Sequence, residues 1–251
     1  MAAKAPTKIA DVEEQRQKDH LLELAHNHAC SSHKLFDFLQ EASLTNQQVA
    51  ALLRNYDAHA SVLRRLLLNA AGMMPEAAVT YVLENVRNEY GNGDFSENHQ
   101  GQLRSLAWDC GVSPEEFFSC RIHPDIGAFI KAASTFYAPG NSCPQSLGRI
   151  KKAAITAGAI TATELLAIKE FAYLQKAFSR RGLAHHIWFK HVEIEVEHSD
   201  ESLDLALHFA KEADGLKCVE YGMLGVLDAN VRLYDGLLAV AQNHQSVSQA
   251  V

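Results

Sequence analysis

Apolar positions recur along almost the whole chain at the three-and-four spacing of a single helix face, and no stretch alternates with the period of a strand. From about Val12 to Ala42 the apolar side carries Leu21, Leu22, Leu24, His28, Leu35, Phe36 and Leu39, so one long helix is expected there. Ser43-Leu44-Thr45-Asn46 breaks it, and Thr45 or Asn46 is placed to cap the next helix, which carries Val49, Leu52, Leu53, Tyr56, Leu63 and Leu67 and stops near Gly72. Pro75 suits the first turn of a third helix running to Glu89 and Tyr90. Gly91-Asn92-Gly93-Asp94 then interrupts a pattern that resumes through His99, Leu103 and Leu106 and ends at Gly111. Ser113-Pro114-Glu115-Glu116 reads as a cap, a first-turn proline and two first-turn acids, ahead of a short helix and then another through Ile126, Phe129 and Phe136. Ala138 to Ser146 is the clearest loop. A long alanine-rich helix follows from about Leu147 to Arg180, ended by Gly182. A helix from about Ala184 to Glu197, a new one capped by Ser199-Asp200, and a last one from Leu216 to Ala241 complete the pattern. It predicts an all-α fold of seven or more packed helices, with no repeat of fixed period.

Neither side of the Ala138–Ser146 loop holds a self-sufficient core, so residues 13–242 are expected to form one domain between polar tails at 1–12 and 243–251. An apolar share of 47% supports a core of that size. The net charge of −7 leaves no basic surplus with which to release counterions from a nucleic-acid backbone. No apolar run approaches the roughly 18 residues of a membrane span. The first residues, Met1 to Asp19, lack the apolar core of a signal peptide, so no membrane partner and a cytoplasmic location are expected. Cys30, Cys110, Cys120, Cys143 and Cys218 are scattered without a CxxC pair, which fits reduced thiols and not a cysteine zinc site.

The candidate chemistry lies in His191-Val192-Glu193-Ile194-Glu195-Val196-Glu197-His198. On a helix Glu195 stands about 40° from His191, with His198 about 20° to the other side, so two imidazoles and a carboxylate share one stripe about 11 Å long. Glu193 and Glu197 point away. Imidazole plus carboxylate suits iron, manganese or zinc. The plain alternative is an exposed, charge-rich helix. One helix alone would hold a metal weakly, so further ligands are needed. Glu89 and His99 flank the glycine break. If Gly91-Asn92-Gly93 bulges out of a continuous helix, both face one way; if it is a loop between two helices, His99 is a surface cap. Glu164 and Glu170 both interrupt apolar sequence, where a buried carboxylate is costly unless paired or metal-bound. Glu23-x2-His26 together with Glu195-x2-His198 offers a rival, ferritin-like arrangement. The remaining histidines, His59 among them, are assigned to surface or packing, and Trp108 and Trp188 to core or pocket wall.

Asn88-Glu89-Tyr90-Gly91-Asn92-Gly93-Asp94, followed by His99 and Leu103, resembles an N-E-x-G-x-G-D-x4-H-x3-L pattern, and His191-x3-Glu195-x2-His198 resembles an H-x3-D-x2-H signature. In this order the two motifs resemble the haem-oxygenase-like diiron oxidases and oxygenases, over about residues 20 to 240. The same fold includes the thiaminase-like TenA proteins, the quinone-cofactor oxidase PqqC and the chlamydial death-domain-associating protein. The resemblance implies a haem-oxygenase-like bundle and a ligand set of Glu89, His99, Glu164, His191, Glu195 and His198. It prefers Glu164 over Glu170. Two departures stand out: Glu195 occupies a position usually held by aspartate, and Ser96 stands where the N-oxygenating members carry an extra carboxylate.

The implied activity is that of an O2-dependent non-haem diiron oxidoreductase, with two Fe2+ ions as cofactor and O2 as co-substrate. It would oxidise, oxygenate or cleave a small amino acid, amine or fatty acid. A homodimer and an external electron donor stay open as partners, and the spacing does not separate iron from manganese. The alternatives on the same fold are a TenA-like hydrolase of a thiamine-like substrate, with Cys143 as nucleophile, and a metal-free interaction protein.

Overall fold

A computed structural model of the chain describes residues 9–139 and 147–243, without the side chains of residues 9–11, 191 and 193–197. The described residues form α1 (Ile9–Asn27), α2 (Lys34–Glu41), α3 (Asn46–Met73), α4 (Val79–Glu89), α5 (His99–Asp109), α6 (Pro114–Ser119), α7 (Pro124–Tyr137), α8 (Arg149–Ser179), α9 (His191–Ala210) and α10 (Gly215–Gln242), with three short 3-10 turns and no strand among them. The chain is therefore all-α, as its periodicity predicts. Most of the expected tails, 1–8 and 244–251, and most of the expected loop, 140–146, lie outside the described residues.

Several boundaries follow the local chemistry anticipated. Thr45 caps α3, with its hydroxyl accepting from Gln48 N while Gln48 returns to the Thr45 backbone. Ser113 and Glu116 make the same reciprocal pair at α6, with Pro114 in its first turn.

Four boundaries differ. The helix expected over 12–42 is two helices, and the first begins at Ile9, inside the expected tail. His28 and His33 divide it, because their side chains accept from the backbone N–H of Cys30 and of Leu35 and so stop one turn and start the next. Pro75 lies outside α4, in a turn where Ala78 N–H donates to its carbonyl at 2.9 Å. The histidine-carboxylate helix starts at His191, not near Ala184, because a 3-10 turn over Ile187–Lys190 precedes it. Ser199-Asp200 does not cap a new helix, and α9 runs on to Ala210. The Ser202 hydroxyl satisfies itself on the Ser199 carbonyl at 2.8 Å, so the serines remain compatible with helix.

α8 is the central helix. Its small residues Ala154, Ala157, Gly158 and Ala162 are buried against neighbours. A Cβ on Gly158 would stand 1.9 Å from the Val219 carbonyl oxygen, and one on Gly222 would stand 1.9 Å from that of Ile155. α8 and α10 thus cross with their backbones in contact, each supplying the glycine the other needs. α3, α7 and α9 pack on this pair, and the cavity described next lies among α3, α4, α5, α7, α8 and α10.

Candidate metal centre

Glu89 is the last residue of α4, and His99 is the first of α5. Between them Gly91, Asn92 and Gly93 all take positive φ, at 82°, 54° and 100°. A Cβ on Gly91 would stand 2.1 Å from the Asp94 carbonyl oxygen, so only glycine fits this turn. Asp94 caps the following 3-10 turn, and Asn98 caps α5 by accepting from Gly101 N–H at 2.9 Å. The chain doubles back, and Glu89 Oε1 meets His99 Nδ1 at 3.1 Å. The break is therefore a loop between two helices and not a bulge in one. It nevertheless turns His99 inward, with only 11% of its side chain exposed, and Asn98 is the cap instead.

Glu164 is buried on α8. Its Oε1 accepts from the Asn85 amide at 3.0 Å, and Asn85 lies one turn before Glu89 on α4. Its Oε2 stands 3.9 Å from Nδ1 of His198, which is also buried. Glu170, the competing carboxylate, is occupied differently. Tyr56 donates to its Oε2 at 3.0 Å and Tyr234 to its Oε1 at 2.5 Å. Burial pushes the Glu170 carboxyl above its ordinary range, and the two hydroxyls pull it partly back.

Of the expected ligands, the described side chains thus form two carboxylate–imidazole pairs, Glu89 with His99 and Glu164 with His198. Burial chiefly, with Glu164 and Glu89 adding, raises the pKa of Tyr137, whose hydroxyl donates to Thr163 at 2.8 Å. The side chains of His191 and Glu195, and of Glu193 and Glu197, lie outside the described residues, but the backbone carries 191, 195 and 198 on one continuous helix. Among the described residues no group of three or more His, Cys, Asp or Glu is close enough to hold a metal ion. The donor chemistry of the two pairs suits iron all the same: carboxylate oxygen and imidazole nitrogen, largely buried. Two donors side by side on one ion, each about 2.1 Å from it, stand about 3 Å apart, as Glu89 Oε1 and His99 Nδ1 do.

Glu89, His99 and Glu164 border a cavity of about 90 Å³. Leu63, Leu67, Leu103, Phe129, Phe171 and Trp188 give it apolar walls, so Trp188 is pocket wall as expected. Trp108 packs edge-on against Phe117. His59, Arg64, Gln100 and Asn230 also line this cavity, and no motif in the sequence marks them. His59 was legible only as a position, three residues after Tyr56 on the face of α3 that also buries Leu52, Leu53 and Leu66. Burial holds it neutral, with a pKa lowered to about 3.

The rival arrangement has no interior half, because Glu23 and His26 are exposed on α1. Cys143 lies outside the described residues. Burial raises the pKa of Cys30 to about 11 and raises those of Cys110 and Cys120, which disfavours them as nucleophiles. No helix among the described residues is long and apolar enough to cross a membrane.

The family described as iron-containing redox enzymes matches residues 50–229. No curated protein sequence matches the chain. Among solved structures, a CADD-like protein of unknown function from Nostoc punctiforme is 14% identical with a TM-score of 0.70, over 92% of this chain and 100% of that one. A domain of unknown function with a haem-oxygenase-like fold from Shewanella denitrificans is 13% identical with a TM-score of 0.62, over 94% of both chains. A TenA homologue from Pseudomonas syringae pv. tomato is 12% identical with a TM-score of 0.62, over 92% of this chain and 93% of that one. These likenesses show the haem-oxygenase-like fold.

Proposed function

This chain belongs to the family of iron-containing redox enzymes, and from that premise we propose that it is a non-haem diiron oxidase or oxygenase that uses O2 on a small organic substrate. The observation that carries the reading is the pair of inward carboxylate–imidazole contacts, Glu89 with His99 and Glu164 with His198, at a cavity that Glu89, His99 and Glu164 line. His191 and Glu195 complete the proposed ligand set from the same helix as His198. Two bound irons would supply O2 activation and the redox change. Carboxylates suit this role because they offset the ion's charge, and neutral imidazoles because they bind without adding charge.

The remaining residues position and shield. Asn85 fixes one oxygen of Glu164, leaving the other turned toward His198. Phe129, Phe171 and Trp188 keep bulk water from the cavity and leave the ligands a low-dielectric setting. The Gly91 turn sets the reach between Glu89 and His99.

Iron analysis of the purified full chain, loaded with Fe(II) under argon, tests the reading. About two irons per chain and O2 uptake on exposure to air are expected. Glu164→Gln, His198→Ala and Glu195→Gln should each lower the iron content, while Glu193→Gln should not. A chain that takes up no iron, or variants that all keep full iron content, would sink the assignment.

A further inference from the structure

Among the described residues, seven buried side-chain nitrogen or oxygen atoms have no hydrogen-bond partner, and four of them are on His59 and Arg64. Both residues line the cavity beside Glu89, His99 and Glu164. His59 is only 5% exposed, and both of its ring nitrogens are without a partner. Its ring packs edge-on to Tyr56 and Phe129, at centroid distances of 4.4 and 5.6 Å, which holds it in place without using its nitrogens.

Arg64 is fixed by a relay. Arg104 and Arg54 anchor Asp57: Arg104 Nε donates to Oδ1 at 3.0 Å and its Nη2 to Oδ2 at 3.1 Å, and Arg54 Nη1 donates to Oδ2 at 3.3 Å. Asp57 Oδ1 also accepts from Gln100 Nε2 at 3.0 Å. With its amide nitrogen committed, Gln100 turns its oxygen to Arg64, whose Nη2 donates to it. The guanidinium also lies 5.1 Å from the centre of the Tyr90 ring. Arg64 Nε and Nη1 are left buried without a protein acceptor. Buried donors on a cation are costly unless something accepts from them, and an oriented guanidinium fork matches the two oxygens of a carboxylate.

We propose that Arg64 receives the carboxylate of the substrate, with His59 supplying a second polar contact, and that the substrate is a compact monocarboxylic acid. The inference rests on the reading of Glu89, His99 and Glu164 as the neighbouring metal ligands, and it narrows the substrate class. A bare amine would set one cation against another. The cavity's 90 Å³ is well below the roughly 300–1,000 Å³ of pockets that take drug-sized ligands, so it suits a small acid and not a long acyl chain. Leu63, Leu103 and Phe129 give the short apolar body its walls.

Calorimetric titration of the full chain tests this, both iron-loaded under argon and after chelation, with butyrate, butyramide and butylamine as probes. Butyrate should bind the loaded protein at least tenfold more tightly than either neutral butyramide or butylamine. Arg64→Gln should weaken butyrate at least tenfold with iron content and thermal midpoint retained. Arg64→Lys should lie between, having the charge without the fork, and the exposed neighbour Arg65→Gln should match wild type. Butyramide binding as well as butyrate, no butyrate binding in either form, or folded Arg64→Gln with unchanged affinity would each overturn the proposal. Iron content is read separately. A chain that binds butyrate through Arg64 but takes up no iron would defeat the oxidase reading alone. One that loads iron yet ignores Arg64 would defeat this proposal alone.

Discussion

Glu164 and Glu170 sit six positions apart on α8, both buried, and at the level of sequence they compete for one role. Their partners separate them. Glu164 meets an amide and an imidazole, whereas each oxygen of Glu170 accepts a tyrosine hydroxyl. Glu170→Gln should therefore leave iron content as in wild type but lower stability by about 1–3 kcal/mol, the cost of mispairing a buried hydrogen-bonded group. Iron analysis and urea unfolding of the variant check both halves, and iron loss there would exchange the two roles. His59 gives a pH signature. Its folded pKa, lowered to about 3, lies below the ordinary value of 6.5. Between those values the unfolded chain holds the extra proton, so stability rises with pH across that window and is lost as pH falls through it. The slope is about 1.4 kcal/mol per pH unit, or about 2 kcal/mol between the ordinary value and pH 5. His59→Gln should remove that increment, so the wild-type minus variant difference in unfolding free energy should change by about 2 kcal/mol between pH 7 and pH 5. A pH-independent difference would mean that His59 is not buried neutral. No spacing rule distinguishes a histidine whose nitrogens are left empty in a cavity from one that merely packs, which is why His59 was invisible before the fold was.

At the scale of elements, helices were legible wherever packing and capping agreed, as at Thr45 and Ser113. They were misread where a side chain did something its type seldom does. His28 and His33 cap, and Ser199 and Ser202 stay inside a helix. The Gly-Asn-Gly break was legible as a break, but its consequence was not, because three successive positive φ values and a 2.1 Å steric limit are tertiary facts. The two glycine roles predict different outcomes. Gly91→Ala should disturb the Glu89–His99 approach and lower iron content, with a modest effect on the melting temperature. Gly158→Ala should push α8 from α10 and cost stability first, by about 1–3 kcal/mol or more as overpacking does, with iron lost only as the fold loosens. Thermal melts set beside iron content separate them. If Gly91→Ala binds iron as wild type does, the turn does not set the distance between those two ligands.

At the scale of the molecule, the cavity joins the two halves of the chain. Tyr56 to Leu67, Glu89 and His99 to Leu103 come from one side of the 140–146 segment, and Thr163 to Phe171, Trp188, Asn230 and Leu233 from the other. α10 packs against both α3 and α7 as well as α8, so each half buries its apolar face on the other. We therefore propose that residues 13–242 unfold as one cooperative unit. The chain supplies its own probes, since Trp108 lies on α5 in one half and Trp188 precedes α9 in the other. In Trp108→Phe the remaining fluorescence comes from Trp188 at the seam between the halves, where its ring packs on Tyr56, and in Trp188→Phe it reports the first half. Each variant's fluorescence transition should coincide with its own far-ultraviolet circular dichroism transition in urea, the mark of two-state unfolding. Iron should raise both midpoints of each variant together, because a ligand bound by residues of both halves stabilises the joint state and neither half alone. Fluorescence and dichroism midpoints that separate in either variant, or iron that shifts one probe and not the other, would show two units where the shared cavity argues for one.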